Sequence, residues 1–560
     1  MEETIMKRIV CLLLTAAMVL AMFAGCSENN PDSTGGTANI SQIGLNDVPD
    51  LSGVTIRILT NSAFTSGVDY ATILARWEQV EERTGVTLIW ECIDTDYNTV
   101  LNTRLAGDTS TAPDIVMLSG VTEAATYIED DLLFDLTEAY DYCPNIKAFY
   151  TENNTEMADI LTYVDGGIYQ MACSSYASFE DYVEYTGTTI DNHLWYRADI
   201  AEEVGITEKP ETLGDWYELL SAVKKKYPNM YAFDVTSTIG SWSSVNVFAS
   251  AFGLRMNFEN SKNYFYVDDS GKVVFEPESD ACKAWLTEMQ KWYGEGLIHK
   301  SSDSSQLYSN AAAGLTFASF FRGLSTHVAS LVETDPNIRF EVVSMPTLEG
   351  YETTYGSRNP YGNNTYAIVN NNNKDQCIAV AQFLDYAVYS AYGIASERFG
   401  PEGYAWNFDE DYNIVLNEDC EAWADTNSLH LQGAYMWSKF PSVYSAEVNK
   451  LYFDMVEKYS QTTQRDERLE YIDEAATAAT AVNMTYAFEK FVVPYMDEDD
   501  QETVDEILGD LETFTKEMMT AYLLGNKDLA KWDEEFVKPL YEVFRLQELL
   551  DIYQKYVDAN

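Results

Sequence analysis

The chain has 560 residues, of which 90 are acidic and 35 are basic, so its formal net charge at pH 7 is −55. A surface this acidic repels phosphate backbones and anionic lipid headgroups, which argues against nucleic-acid binding and against charge-driven binding to lipid. The length exceeds what one hydrophobic core can hold and indicates two large lobes.

The N-terminus has the pattern of a secretory signal. Lys7 and Arg8 precede an apolar run over residues 9–25, which is shorter than the about 20 residues that a membrane-spanning helix needs. The run ends in FAGC at 23–26, which resembles the lipobox of bacterial lipoproteins, with phenylalanine in place of the usual leucine. The resemblance implies that Cys26 becomes diacylated and tethers the chain to the membrane.

The stretch that follows Cys26 has no apolar periodicity and is rich in Ser, Asn, Thr and Gly. Such a segment cannot bury enough surface to offset its ordering entropy. We expect residues 1–25 to be the signal peptide and 26–50 to be a flexible tether.

The first folded elements alternate between strand and helix. Strands are expected at 54–59, 86–90 and 113–118, a helix at 71–84, and a second helix around Leu101. This order is typical of a parallel sheet, which binds ligands at the carboxyl ends of its strands. The loops that begin near Asn61, Trp90 and Ser119 are therefore the first places to look for a site.

Later segments are also readable. The sequence YFYVDDSGKVVF at 264–275 predicts a β-hairpin around Asp269-Ser270-Gly271. An amphipathic helix follows and ends near Gly294. Residues 442–560 are predicted to be largely helical, including 540–556.

Several short motifs in a fixed order resemble the family 1 extracellular solute-binding proteins of bacterial ABC sugar importers. They are NHLWYRAD at 192–199, PETLGDW at 210–216, GKVVF at 271–275, GEGLI at 294–298 and AGLTFA at 313–318. Two more, FGPEGYAW at 399–406 and LGNKDLAKWD at 524–533, resemble the larger Gram-positive subgroup. The resemblance covers nearly the whole mature chain.

The resemblance implies an α/β fold of the type II periplasmic-binding-protein class, with two α/β lobes joined by a hinge and extra C-terminal helices. It places the first lobe at 51–170 and 313–370, with 313–318 as the strand that returns to it. The second lobe would then comprise 171–312 and 371–560. The expected ligand is a mono- or oligosaccharide, bound in the cleft between the lobes.

A sugar site needs flat apolar faces and planar polar groups, and the loops offer both. The candidate ligand-binding residues are Asn61, Ser119, Trp242, Arg322, Tyr361, Asn363 and Trp406. Trp242 and Trp406 lie in turn-forming segments and are candidate stacking platforms, whereas Trp77, Trp216 and Trp292 have helical spacing and are expected in the core. Arg322 follows a buried strand; it either grips hydroxyls or a uronate carboxylate or pairs with an acidic side chain.

Metal and catalytic signatures are weak. The sequence Asp409-x-Asp411-x-Asn413 begins like a calcium loop, but Ile414 and Cys420 replace the glycine and the bidentate glutamate, so we expect a hairpin turn. Apart from Cys11 and Cys26, six widely spaced cysteines remain, and we expect buried free thiols. No metal or other cofactor is expected.

We therefore expect a monomeric, lipid-anchored receptor that captures a carbohydrate by lobe closure and delivers it to the permease subunits of an ABC transporter. Two alternatives for the chemistry remain open: a secreted carbohydrate-active enzyme, and a receptor for peptides or other small solutes. A membrane sensor in place of the transporter is a third alternative, concerning the partner.

Overall fold

A computed structural model provides the structure of the chain. It describes residues 37–39, 47–61, 70–93, 95–107, 112–118, 124–172, 175–176, 192–237, 244–255, 264–321, 323–355, 365–404, 406–410, 413–416, 440–441, 443–445, 447–448, 450–451, 468–486, 491, 493 and 495–558. The signal peptide, Cys26 and most of the tether lie outside these residues.

The strands, in chain order, are β1 (Thr37–Asn39), β2 (Thr55–Asn61), β3 (Thr87–Ile93), β4 (Ile115–Leu118), β5 (Met171–Ala172), β6 (Ser175–Tyr176), β7 (His193–Arg197), β8 (Tyr231–Val235), β9 (Phe265–Val267), β10 (Val273–Phe275), β11 (Ile298–Lys300), β12 (Thr316–Phe321), β13 (Phe340–Val343), β14 (Thr365–Ile368), β15 (Trp406–Phe408), β16 (Asn413–Leu416) and β17 (Val443–Tyr444).

The α-helices are α1 (Tyr70–Thr84), α2 (Tyr97–Leu105), α3 (Ala124–Glu129), α4 (Pro144–Ala148), α5 (Thr155–Leu161), α6 (Ala198–Glu203), α7 (Leu213–Lys226), α8 (Asp280–Gly294), α9 (Ser304–Ala312), α10 (Leu324–Thr334), α11 (Lys374–Leu384), α12 (Ala391–Phe399), α13 (Glu470–Asn483), α14 (Glu498–Leu523), α15 (Lys538–Glu542) and α16 (Leu546–Val557).

The first sheet has the strand order β3-β2-β4-β14-β5. Strands β2, β3 and β4 run parallel, and β14 is antiparallel to β4, with Thr365 opposite Leu118. Strand β4 is buried along its whole length, as expected for a parallel strand covered on both faces. The strand–helix–strand–helix–strand prediction for this part of the chain is confirmed.

The second sheet has the order β11-β8-β12-β7-β13. Strands β8, β11 and β12 are parallel, and β7 runs antiparallel between β12 and β13. The expected return to the first lobe at 313–318 is wrong, because β12 pairs with β8 and β7. Its sequence, TFASFF, is uniformly buried, and such a run fits the centre of either sheet equally well.

Two main cores follow from these sheets. The first contains residues of the first sheet and of α11 and α12, and the second contains residues of the second sheet and of α14 and α16. A smaller core between β13, α10 and α13 adjoins the second. The first lobe therefore holds the described residues within 47–172 and 365–451, and the second holds those within 192–355 and 468–558, except Tyr495, which lies in the first core. Residues 371–451, which were expected in the second lobe, belong to the first, because their buried side chains join the first core.

Helix α7 illustrates how local chemistry sets the element boundaries. Its N-cap Thr212 accepts a hydrogen bond from the N–H of Asp215, whose carboxylate in turn accepts one from the N–H of Thr212. Three lysines occupy the last turn, where positive charge stabilises the helix dipole. The buried face, which includes Trp216, packs against β8.

Both predicted hairpins are confirmed. Strands β9 and β10 pair across a turn in which Gly271 has a φ of +83°, and β15 pairs with β16 where the calcium-like motif lies. In that second hairpin the side chain of Asp409 accepts hydrogen bonds from the backbone and side chain of Asn413.

Among the described helices, none is long and apolar enough to cross a membrane alone. Residues Lys374–Tyr389 and Ala391–Phe399 satisfy the length and apolarity criteria only as a pair that is bent by 57°. Residues 383–399 are buried in the first lobe.

Candidate functional site

Each lobe presents the carboxyl ends of parallel strands at one edge of its sheet. In the first lobe these ends are Asn61, Ile93 and Leu118. In the second lobe they are Val235, Lys300 and Phe321. Such edges are where open α/β sheets bind ligands, because side chains and loops from neighbouring strands converge there.

Tyr97 fixes the edge of the first sheet. Its hydroxyl lies 3.1 Å from Leu59 O and 2.9 Å from Met117 O, and it accepts a hydrogen bond from Met117 N at 3.0 Å. It therefore joins the ends of β2 and β4 through one phenol. Asp96, immediately before it, has a φ of +55°, a conformation that Asp tolerates better than most residues.

A pair of buried hydroxyls also connects strands of the first sheet. The Thr60 hydroxyl and the Tyr366 hydroxyl are 2.7 Å apart, and both residues are fully buried. Tyr366 comes from β14, so the pair connects β2 with the antiparallel strand on the far side of β4.

Asn61 ends β2 and is half-buried. Its side-chain oxygen is inaccessible to solvent, and among the described residues no donor reaches it. A buried acceptor without a partner costs about 1–3 kcal/mol, so an unmet acceptor at a strand end is a natural contact for a ligand donor. Of the two predicted binding residues that the structure describes, Asn61 lies at this edge and Trp406 does not.

An aromatic cluster joins β3 and β14 of the first sheet. Trp90 on β3 is half-buried, with its ring centroid 5.3 Å from that of Trp77 and 5.4 Å from that of Phe440. Phe440 also packs on Tyr366 at 5.1 Å. Tilted and edge-to-face pairs of this kind contribute about 0.5–1.5 kcal/mol each beyond area burial.

The edge of the second sheet is organised by Asp234, a fully buried carboxylate on β8. It accepts hydrogen bonds from Ser301 (2.9 Å), Asn310 (3.0 Å) and Thr316 (3.1 Å), and it lies 2.9 Å from Nδ1 of His299. These partners come from β11, α9 and β12, so one carboxylate joins three elements. The sequence signal was available, since an acid inside the strand YAFDV must find partners.

Two histidines of the second lobe each stack on a tyrosine ring. His299 stacks on Tyr231 with centroids 3.5 Å apart, and His327 stacks on Tyr308 at 3.8 Å. Burial lowers the pKa of His327, so its ring is neutral at pH 7. Its ring lies 5.7 Å from that of Phe321, the last residue of β12.

Trp406 has a different environment from the one expected. It is completely buried, its indole N–H donates to Gly400 O at 2.9 Å, and its ring packs against Tyr392 and Phe408. Neither face of the ring is open to a sugar in this structure, so its role here is packing. Trp77, Trp216 and Trp292 are buried, as predicted.

The other candidates, Ser119, Trp242, Arg322, Tyr361 and Asn363, lie outside the described residues. Their sequence neighbours are nevertheless at the two edges. Ser119 follows Leu118 of β4, and Arg322 follows Phe321 of β12. Tyr361 and Asn363 precede Thr365, which pairs with Leu118.

The described residues contain no group of three or more His, Cys, Asp or Glu side chains that could hold a metal ion. Of the six remaining cysteines, Cys143, Cys282 and Cys377 are buried free thiols, which confirms the expectation for those three. Cys92 is only half-buried. Cys173 and Cys420 lie outside the described residues.

Solved structures share this architecture. FusA, an ABC-transporter substrate-binding protein from S. pneumoniae described in complex with kestose, has a TM-score of 0.65 and 16% identity, covering 90% of this chain and 99% of that one. An HMO-binding, ABC-transporter-associated solute-binding protein from Bifidobacterium longum infantis has a TM-score of 0.63 and 16% identity, with coverages of 90% and 98%. The alginate-binding protein AlgQ2, without calcium ion, has 0.60 and 19%, with the same coverages.

At these identities the likeness establishes the fold, and the predicted type II periplasmic-binding-protein-like architecture is confirmed. No curated protein sequence matches the chain. A family model described as bacterial extracellular solute-binding protein matches residues 75–395, which are 321 of the 560 residues. Members of this family bind solutes and are not enzymes. The chain belongs to the bacterial extracellular solute-binding protein family.

Proposed function

We propose that this protein is the carbohydrate receptor of a bacterial ABC importer. It binds a mono- or oligosaccharide between the two lobes, and binding shifts the population toward a closed form that a permease recognises. Family membership supports solute binding. The folds of proteins described as binding kestose, HMO and alginate support a carbohydrate as the solute.

The observation that carries the proposal is the chemistry at the strand ends of the first lobe. Asn61, at the carboxyl end of β2, offers a buried acceptor with no donor among the described residues. An amide oxygen suits a sugar hydroxyl.

We assign the remaining contacts to the residues next to the strand ends. In the first lobe these are Ser119, Tyr361 and Asn363. In the second lobe they are Arg322 and Trp242, which follow β12 and β8 in sequence. Leu118, Phe321 and Thr365, the described residues nearest in sequence to Ser119, Arg322, Tyr361 and Asn363, lie at the carboxyl edges of the two sheets.

We further propose that the chain is anchored on the outer face of the cell membrane through lipid on Cys26. The signal-like residues 1–25 and the lipobox-like FAGC support this placement. Replacing Cys26 with Ser should abolish incorporation of labelled palmitate and release the protein into the medium. A Cys11→Ser variant, altered within the signal itself, is the matched control and should stay membrane-bound.

The test of the function is thermal unfolding of the fragment from Ser27 onward against kestose, human milk oligosaccharides, alginate oligosaccharides and a tripeptide mixture. A ligand that binds only the folded state adds about 2.7 kcal/mol of stability at a hundredfold excess over its Kd. We expect an upward shift of Tm with one sugar class and no loss of that sugar after hours. A shift with peptides alone would overturn the carbohydrate proposal.

A variant pair sharpens that test. Asn61→Ala should weaken binding of the identified sugar about tenfold, because one hydrogen bond to a buried group is lost. Asn229→Ala is the matched control, since Asn229 is exposed just before β8, at the opposite edge of the second sheet. Equal effects of the two substitutions would remove Asn61 from the site.

A further inference from the structure

The C-terminal region contacts both lobes at two places where the chain passes between them. The chain leaves the first lobe after β5 and enters the second at β7, and it returns between Tyr355 and Thr365. Residues on each side of these two passages are hydrogen-bonded to the segment between α13 and α14.

On the side of the first lobe, the connection is made by Gln170. This residue is completely buried; its side-chain N–H donates to the hydroxyl of Tyr495, and its side-chain oxygen accepts from the hydroxyl of Thr365. Gln170 precedes β5, and Thr365 begins β14. One amide therefore joins both passages to the C-terminal segment.

On the side of the second lobe, the same three stretches meet again at Tyr355. Its hydroxyl donates to Asn192 O at 3.3 Å, and its backbone N–H donates to Tyr486 O at 2.9 Å. Asn192 precedes β7, and Tyr486 lies just after α13. The same three stretches of chain are therefore joined twice, once on the side of the first lobe and once on the side of the second.

Between the junctions, neighbouring side chains of one segment belong to different cores. Val493 and Met496 are buried in the core of the second lobe, whereas Tyr495 is buried in that of the first. The Tyr495 ring packs edge-on against Tyr163, with centroids 5.0 Å apart. Directly after Met496, Asp497 caps the 26-residue helix α14 of the second lobe.

We propose that this segment is a mechanical tie between the lobes, and that Tyr495 is a positioning residue that sets their relative orientation. The tie links the first lobe to α14, and thus to the helices that pack on the second core. Its consequence for ligand affinity rests on the proposed capture of a sugar between the lobes. The tie itself is independent of what is bound.

The test measures the distance between the lobes in the ligand-free protein. Nitroxide labels are placed at the exposed positions Glu78 in α1 and Glu218 in α7, in a background whose reactive thiols are replaced by serine. Pulsed electron spin resonance then gives the distribution of inter-label distances. We expect Tyr495→Phe to increase the population outside the main distance peak about fivefold, the factor that one ordinary hydrogen bond represents.

Tyr553→Phe is the matched control. Tyr553 is a buried tyrosine of the same C-terminal region, its hydroxyl has no partner among the described residues, and its ring contacts Phe265 and Phe491 of the second lobe. This substitution should leave the distance distribution unchanged. Gln170→Leu also removes the hydrogen bond from Thr365 and should have at least the effect of Tyr495→Phe. The double variant should change the distribution no more than Gln170→Leu alone, since both substitutions remove the contact between Gln170 and Tyr495.

An unchanged distribution in Tyr495→Phe and Gln170→Leu would overturn the tie. So would a change of equal size in Tyr553→Phe, because that result would indicate general loosening of the second lobe. Because no ligand is present, failure of the sugar proposal would leave this result untouched, and failure of the tie would leave the sugar panel untouched.

Discussion

The two lobes bury carboxylates in different ways. In the second lobe, Asp234 is surrounded by hydroxyl, amide and imidazole donors from three elements. In the first lobe, Asp385 accepts from the backbone of Ile146 at 2.7 Å and from the side chain of Asn145 at 2.9 Å. Glu397, also in the first lobe, lies 3.8 Å from Arg398, and its oxygens have no hydrogen-bond donor among the described residues.

The two buried acids of the first lobe make its stability depend on pH. Burial raises the pKa of Asp385 to about 6, and it raises the pKa of Glu397 as well, although the positive charges of Arg398 and Arg76 oppose the shift. Both groups are therefore more stable in the fold when protonated.

The largest effect is expected from Asp234→Ala. Removing the carboxylate leaves the buried donors of Asn310 and Thr316 without their acceptor, which should lower the free energy of unfolding by about 4 kcal/mol. Urea unfolding measures this loss. The control is Asp268→Ala, because Asp268 accepts hydrogen bonds from the backbone and side chain of Ser270 in an exposed turn, and its removal should cost much less. Comparable losses in the two variants would show that burial of the Asp234 network adds nothing to the free energy of unfolding.

The next effect is the pH dependence of the first lobe. The pKa of Asp385 is raised in the fold, so between about pH 4 and pH 6 the unfolded chain loses this proton while the folded chain keeps it, and stability falls as pH rises. Two units correspond to about 3 kcal/mol. The free energy of unfolding of the neutral variant Asp385→Asn, minus that of the wild type, should therefore increase by about 3 kcal/mol from pH 4 to pH 7. Subtracting the two unfolding curves cancels the other titrating groups, and a pH-independent difference would contradict the raised pKa.

Much of the first lobe was predictable from residue periodicity. The expected helix over 71–84 is Tyr70–Thr84, and the strands before and after it are present. The lobe boundaries were not predictable in this way, because burial along β12 is uniform and carries no information about which sheet receives it. The stretch over 540–556 is helical as expected, and it forms two helices, with Arg545 at a φ of +52° between α15 and α16.

The candidate site was predictable only in part. Asn61 follows from one rule, that ligands bind at the carboxyl ends of parallel strands, and that rule needs no knowledge of packing. The prediction that Trp406 is a stacking platform rested on the exposure that a Gly-Pro-Glu-Gly turn indicates. The indole that follows this turn is instead buried in the first core. The Tyr97 phenol depends on where β2 and β4 meet in space, which no local pattern encodes.

The smallest expected effects come from two helical glycines, one in each lobe. A Cβ on Gly393 of α12 would lie 2.7 Å from the carbonyl carbon of Ala387, so backbone would have to move. Overpacking of this kind costs about 3 kcal/mol, and the better helix propensity of alanine returns about 1, so Gly393→Ala should lose about 2 kcal/mol. Gly509 lies in the exposed face of α14 with nothing within 4 Å of the added Cβ, so Gly509→Ala should instead gain up to about 1 kcal/mol. Urea unfolding of both variants checks the opposite signs. A gain in stability for Gly393→Ala would mean that α12 can shift within the first core to make room for the added methyl group. The close approach of Gly393 to Ala387 would then not be required by the packing of the lobe.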